Sequence, residues 1–306
     1  MKRFDPMRYM RYDLLSEYNR YSGMYPDLEE LCHPFINVSD VLRAYFILAD
    51  YFTDTTADGD VEKMLVGIRD MNLLISALGR QNVAYAGSIK YKNPLDICAT
   101  LFYGLVKDHA FSDGNKRTAL LTLLYQLDLY GFCPQSPKKD FEKLVVAVAA
   151  NTVETEYYKV WRGVEKKYRA DKTDHVVAVI SKLLKKMTRK KDNSFHIDVP
   201  ARDFIEAIKN TPDCDAYVDG TKIKFKRTVR AKTFFGLISR PDIVKNYSIP
   251  YRGDTRTVGP GTARDVLEAL DIYDQYADYK SFFDGADPRY MLIEQFEGPL
   301  RRLKDK

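Results

Sequence analysis

The chain has 306 residues, 45% hydrophobic and 30% charged, with a net charge of +5 and a pI near 8.7. That length predicts two domains, and the balance is that of a globular protein with a sizeable core, not of a disordered or fibrous one. The charge is too mild to select a nucleic-acid partner, and the four cysteines (Cys32, Cys98, Cys133, Cys214) have no C-x-x-C pair, which excludes a disulfide framework or a zinc signature.

Residues 1–36 are rich in tyrosine and arginine ("MRYMRYDLLSEYNRYSGMYP") and read as an N-terminal extension. The opening lacks the apolar stretch of a signal peptide, and no 18-residue apolar run occurs, so a cytoplasmic protein with no membrane partner is expected. "NVSDVLRAYFILADYF" (37–52) is helical in period, with Ser39 or Asp40 able to cap it. An acidic loop precedes a second helical run over 61–79, carried by Leu65, Ile68, Leu73, Ile75 and Leu78. "QNVAYAGSIKY" alternates around Ala86-Gly87 and predicts a short β-hairpin. "NPLDICATLFYGLVKDH" follows as a helix with Pro94 in its first turn.

Next comes "HAFSDGNKRTAL" (109–120), which breaks the pattern at Asp113-Gly114-Asn115 and starts a helix over Lys116–Tyr130. That helix is apolar on most sides and is expected to be central and buried. Two further helices are predicted in "KDFEKLVVAVAANTV" and "ETEYYKVWRGVEKKY", so residues 37–168 read as an all-α bundle interrupted by one hairpin. "DHVVAVISKLLKKM" and "TRKKDN" read as a connecting helix and basic linker (169–194). Residues 195–306 change character. "ARDFIEAIKN" and "GTARDVLEALDIY" are helical, "DAYVDGTKIKFKRTV" holds strands around Asp219-Gly220, and "SIPYRGDTRTV" suggests another hairpin, together an α+β domain.

The chemistry concentrates in the motif. A helix starting near Lys116 aims free N–H groups and its positive dipole end at the turn before it, a geometry that favours phosphate. Gly114 allows close approach of an anion, while Lys116 and Arg117 add a point charge and a planar fork. Asn115 can fix a phosphate oxygen or the loop itself. Asp113 is placed to hold a Mg²⁺ that bridges phosphates, and His109, ordinarily titrating near neutral pH, suits a base. Taken singly, each residue also fits a cap or a solvated first turn; the joint spacing is what a cap does not need.

"HAFSDGNKRTAL" resembles the signature of the Fic/Doc (Fido) family, H-x-F-x-[DE]-G-N-x-R, and most closely its death-on-curing (Doc) branch, which carries N-K-R-T-A. The likeness runs over roughly 37–155. It implies a mainly α fold with a short β-hairpin flap, here followed by the smaller α+β domain. It also implies a transferase that moves part of a nucleotide, ATP as substrate with Mg²⁺, onto a Ser, Thr or Tyr hydroxyl of a target protein. By the resemblance His109 matches the base, Phe111 the residue that anchors the loop, Asp113 the metal ligand, and Gly114, Asn115 and Arg117 the phosphate cradle. The hairpin from Tyr85 through Ala86, Gly87, Ser88, Ile89 and Lys90 to Tyr91 matches the flap that docks the target by strand addition.

Two departures bear on the reaction. Lys116 stands where AMP-transferring members have glycine, and Leu120 where they have a second arginine. Both resemble Doc and favour phosphorylation, whereas Gly114 is Fic-like; AMPylation by the same site stays open. The family's inhibitory motif [ST]-x-x-x-E-[GN] has no clean copy, since "TVETE" runs into Tyr157 and "FEGPL" lacks the Ser or Thr. An antitoxin protein is therefore a plausible partner, and the C-terminal domain an alternative restraint. That domain resembles the small double-stranded-RNA-binding-like fold of HicA toxins, without a counterpart of their catalytic histidine. Its basic stripe (Lys222, Lys224, Lys226, Arg227, Arg230, Lys232) reads first as a solvated edge and second as a nucleic-acid contact. A rival function is a Fido scaffold whose C-terminal domain binds nucleic acid or a protein.

Overall fold

In the computed structural model, the described residues are 10–25, 27, 35–52, 64–85, 88–164, 168, 171–190, 199–211, 213–229, 243–272 and 287–304. The chain divides into two compact units, Pro6–Lys191 with Arg289–Lys306, and Asp192–Pro288. The first is mainly α, and the second mixes helices with small antiparallel sheets.

The helical unit opens with α1 (Tyr12–Met24) and α2 (Val38–Tyr51). At the start of α2 the Asp40 carboxylate accepts from the Asn37 N–H at 3.0 Å, so the residue ahead of the expected caps begins the helix and Asp40 reaches back to it. Then come α3 (Met71–Gly79), the hairpin of β1 (Ala84–Tyr85) and β2 (Ser88–Ile89), and α4 (Pro94–Asp108). α5 (Asn115–Leu129) is the central helix, packing on α2, α4 and α6 (Lys138–Ala149). Eleven of its 15 residues are buried, in keeping with a sequence apolar on most sides. β3 (Phe132–Pro134), the short α7 (Val153–Glu156) and α8 (Tyr158–Arg162), α9 (Lys172–Met187) and β4 (Thr188–Lys190) follow. The stretch read as a connecting helix is α9. It packs against α4 through a buried face of Val177, Ile180, Leu183 and Leu184 in the bundle's own core.

The predicted helix over 61–79 begins only at Met71; residues 61–63 lie outside the described residues, and 64–70 form no helix. The reason is a competing set of partners. Arg69 and Asp70 N–H donate to the Ala110 carbonyl at 2.8 and 3.2 Å, Ser112 N–H donates to Gly67 O at 2.9 Å, and Ile68 bridges to Phe111. Asp70 then caps α3 by accepting from Asn72 N–H.

The second unit contains β5 (Val199–Pro200), α10 (Ala201–Lys209), β6 (Cys214–Asp219), β7 (Lys222–Val229), β8 (Ile243–Pro250), β9 (Thr257–Val258) and α11 (Pro260–Ala269). β6, β7 and β8 form an antiparallel meander, with Gly220 at φ +59° in the tight turn between the first two. The hairpin expected in "SIPYRGDTRTV" does not form. Ile249 pairs with Ile223 of β7, while Val258 pairs with Val199 of β5, so the two halves serve different sheets. Phe204, Ala216, Ile223, Phe225, Val266 and Leu270 make this unit's separate core. Arg230 and Lys232 of the basic stripe lie outside the described residues.

α12 (Pro288–Arg302) was not foreseen as a helix, and from Arg289 onward it belongs to the helical unit. Leu292, Ile293, Phe296, Leu300 and Leu303 join the bundle core, and Phe296 meets Phe141 edge-on at 5.7 Å. Arg289 pairs with Asp40, and Arg302 forms a fork on Glu142. The helix kinks at Phe296, three residues before Pro299, which lacks an N–H to continue the ladder.

Candidate functional site

His109 ends α4 in the left-handed region at φ 50°, a conformation that turns the chain sharply before α5. It is exposed, and among the described residues it makes no hydrogen bond. Phe111 is 3% exposed and stacks on Tyr45 at 4.1 Å. The Tyr45 hydroxyl accepts from Gly67 N–H at 2.8 Å and donates to Gly67 O at 3.1 Å, and burial pushes it up to about 12. One aromatic pair thus holds both the loop and the 64–70 strap.

Asn115 answers the alternative left open by its residue type, because its amide works on the loop. Its Oδ1 accepts from Phe111 N–H at 2.9 Å and its Nδ2 donates to Phe111 O at 2.8 Å, with the side chain buried. Gly114 is the N-cap of α5 at φ +79°, and a Cβ there would come within 2.8 Å of the Met64 side chain. A substituted residue would meet both backbone strain and crowding at this one turn.

Asp113 is half-buried; its two oxygens accept from Gly114 N–H at 2.6 Å and Leu65 N–H at 3.1 Å. A carboxylate has about four lone-pair sites, so it retains capacity for a cation. Among the described residues no group of three or more His, Cys, Asp or Glu side chains could hold a metal.

Arg117 differs most from expectation. It is 2% exposed; its Nε donates to the Leu300 carbonyl at 2.9 Å and Nη2 lies 3.5 Å from the Arg301 carbonyl. Its guanidinium sits over the Phe52 ring at 4.6 Å, and Lys116 Nζ donates to the Lys304 carbonyl. Leu120 is fully buried, in keeping with its place on the apolar side of α5.

The hairpin forms as expected, with Ala84 opposite Ile89 and Tyr85 opposite Ser88; Ala86, Gly87 and the Tyr85 side chain lie outside the described residues. Ser88 and Ile89 are exposed. Its base has its own anchor, since Lys90 pairs with Asp174 at 2.6 Å and the Tyr91 hydroxyl donates to the same carboxylate at 3.3 Å.

Sequence reasoning missed Tyr45, Met64, Asp108 and the α12 carbonyls. Asp108 is adjacent to His109, and burial raises its carboxyl above the usual range against the opposing pull of Arg80 and His109. One of its oxygens is buried without a hydrogen bond. The adjacency "DH" was visible in the sequence; the contacts of the other three were not.

The family model described as Fic/DOC family matches residues 35–127, which take in α2 through most of α5 with the whole motif. Neither the search of curated proteins nor that of solved structures found a match. Among the described residues no helix is long and apolar enough to cross a membrane.

Proposed function

We propose that the chain is a Fic-type, nucleotide-dependent transferase that moves a phosphate-containing group from ATP to a hydroxyl of a target protein, with phosphorylation of that hydroxyl as the reaction. The observation that carries this is the motif's construction. An exposed histidine, a half-buried carboxylate and two cations stand within nine residues of one helix start, on a loop locked by Phe111, Tyr45 and Asn115. A simple capped turn needs no such support, whereas a reaction site does, because misplacement of a reacting group by an ångström is costly.

In this reading His109 takes the proton as the target oxygen bonds to the γ-phosphorus and ADP departs. The first-turn N–H groups of α5, with Lys116 and Arg117, bind the phosphates. Asp113 would hold Mg²⁺, which when bound supplies neutralisation of the charge on the transferring group. The exposed edge of β1 and β2 would take the target segment as an added strand. Phosphoryl rather than AMP transfer is supported by Lys116, which stands where the resemblance puts glycine in AMP-transferring members. It is also supported by Leu120, which offers no cation for a γ-phosphate. Gly114, left-handed and Fic-like, is the observation on the side of AMP transfer.

The test uses ATP labelled on the α-phosphate or on the γ-phosphate, host lysate and Mg²⁺, with wild type beside His109→Ala. Label from the γ-position alone, lost in the variant, is the expected result. Label from both positions establishes AMP transfer instead. No His109-dependent label from either rules out ATP as the donor and leaves a different nucleotide or the scaffold.

A further inference from the structure

The flap is too small to hold its own place. β1 and β2 pair through two residues each and with no other strand among the described residues, and an isolated two-stranded hairpin is marginally stable in water. At its base the Lys90 N–H donates to Val83 O at 2.8 Å, which extends the ladder but does not aim it. The aim comes from a residue 84 positions beyond Lys90. Asp174 Oδ1 accepts from Lys90 Nζ at 2.6 Å and from the Tyr91 hydroxyl at 3.3 Å, so one oxygen holds two consecutive residues just past β2. We infer that Asp174 is a positioning residue for the target: it fixes the angle at which the flap presents its edge, and so where a docked hydroxyl stands relative to His109. This rests on the reading that the flap takes the target as an added strand.

The mounting of Asp174 is itself firm. It lies in the first turn of α9, where Asp171 caps the helix by accepting from the Asp174 N–H at 2.9 Å. The neighbouring His175 is buried, stacks on Trp161 at 3.8 Å and has its Nε2 3.0 Å from the Trp161 carbonyl. Further along α9 the Ser181 hydroxyl donates to Asp96 of α4, the helix that ends at His109. The flap base and His109 are therefore referred to one frame, the first through α9 and the second through α4. As a stabiliser the pair is weak: the Lys90 and Asp174 side chains are 38% and 25% exposed, and a solvated ion pair contributes little to folding. The buried Tyr91 ring, part of the bundle core, does the packing at this point. Loss of the Asp174 carboxylate should thus fall on the flap's orientation and not on the fold.

The test uses the full-length chain, with host lysate as the source of target. Asp174→Ala should keep the wild-type melting temperature and the wild-type affinity for Mg·ATP by calorimetry. Amide hydrogen exchange at the Lys90 N–H should be faster in the variant, because the hairpin has lost its outside support. A flap free to pivot is competent only part of the time, and apparent affinity for the target falls by that fraction. His109-dependent transfer from γ-labelled ATP should accordingly drop at low lysate concentration, about tenfold for a flap competent about a tenth of the time. The deficit should narrow as lysate is raised, the mark of a changed KM and not a changed kcat. Asp174→Glu, which keeps a carboxylate for Lys90 and Tyr91, should restore transfer. Unchanged exchange at Lys90 in Asp174→Ala, or undiminished transfer at low lysate, overturns the inference and leaves the transferase reading standing. A deficit equal at every lysate concentration, or weaker Mg·ATP binding, overturns the target-side role just as surely. A wild-type chain that transfers no His109-dependent label fails at the transfer from ATP on which all this rests, and the inference falls with it.

Discussion

Loop 109–117 and the β6–β7–β8 sheet are similarly dense in charge, about one charged side chain in three residues, and the structure treats them in opposite ways. In the loop, Asn115 and Arg117 are 4% and 2% exposed and bonded to main chain, and Asp113 is tied to two N–H groups. On the sheet, Lys222, Lys224 and Lys226 alternate outward with the buried Ile223 and Phe225 between them. Lys224 pairs with Asp219 in solvent, and Asp215 stands opposite Lys226. A polar group is buried only where the fold supplies partners, so the loop is a constructed feature. Charge that alternates along an exposed strand and finds its own counter-ions is a solvated face. The count of cations in a stretch says little; what their neighbours are made to do says more.

The sharpest test of this contrast is at His109. It is exposed and supports nothing, so His109→Ala should leave the melting temperature unchanged while label transfer falls about 10²–10⁴-fold, the usual worth of a positioned base. Loss of stability with activity retained would reverse the assignment. Phe111→Ala is the structural counterpart. Truncating a buried aromatic that joins loop to strap should cost about 3–5 kcal/mol in denaturant unfolding, and transfer should fall through loss of loop geometry. A cost within about 1 kcal/mol, below any cavity expectation, would mean that the Tyr45 stack does not hold the loop.

How much of this was legible beforehand follows the range of the interactions. α2, α4 and α5 appear in the sequence because their partners recur every three or four residues, and the motif appears because its chemistry fits in nine positions. The strap at 64–70 was misread because Leu65 and Ile68 keep helical spacing, yet Leu65 is 68% exposed and its N–H serves Asp113. Periodicity cannot report that a backbone is claimed by another loop. "SIPYRGDTRTV" failed for a related reason, as each half finds a strand already present elsewhere. The return of α12 was invisible, because no local pattern at Leu300 announces a partner 183 positions away.

Tyr45→Phe separates the ring's stacking from its hydroxyl. The ring remains on Phe111, while Gly67 loses a donor and an acceptor in a half-buried place, so a cost of about 1–2 kcal/mol is expected. Thermal melting and transfer should both decline modestly. A variant as stable as wild type would show that the strap is held by its backbone bonds to Ala110 and Ser112 and by the Leu65–Asp113 contact, without the Tyr45 hydroxyl.

Asp108 gives the loop region a pH signature set by burial, unlike the solvent-exposed Asp219–Lys224 pair of the sheet. Its folded carboxyl is raised above the unfolded value of 3.8, so the native state binds the proton more tightly than the unfolded chain. Stability therefore declines as pH rises from that unfolded value through the raised native one, and the penalty is fully present above it. Asp108→Asn should raise the melting temperature at neutral pH and have little effect below the unfolded value. A variant that is less stable at neutral pH would mean that the ionised carboxylate is needed beside His109.

The smallest effect is expected on the sheet. Replacing Lys222, Lys224 and Lys226 together with glutamine removes charge from a face where the residues between them, Ile223 and Phe225, do the packing. Exposed ion pairs contribute little and are screened by salt, so the melting temperature should not move and His109-dependent transfer should be intact. Retention on heparin will fall with the lost charge in either case, which makes the salt slope the informative quantity. A solvated face gives a slope that scales weakly with the three charges, whereas a nucleic-acid contact loses close to one unit of slope for each phosphate partner removed. A drop of that size would turn the sheet from the contrasting surface into a second site. The comparison between the two regions would then need a different basis, since a built contact would exist without buried polar support.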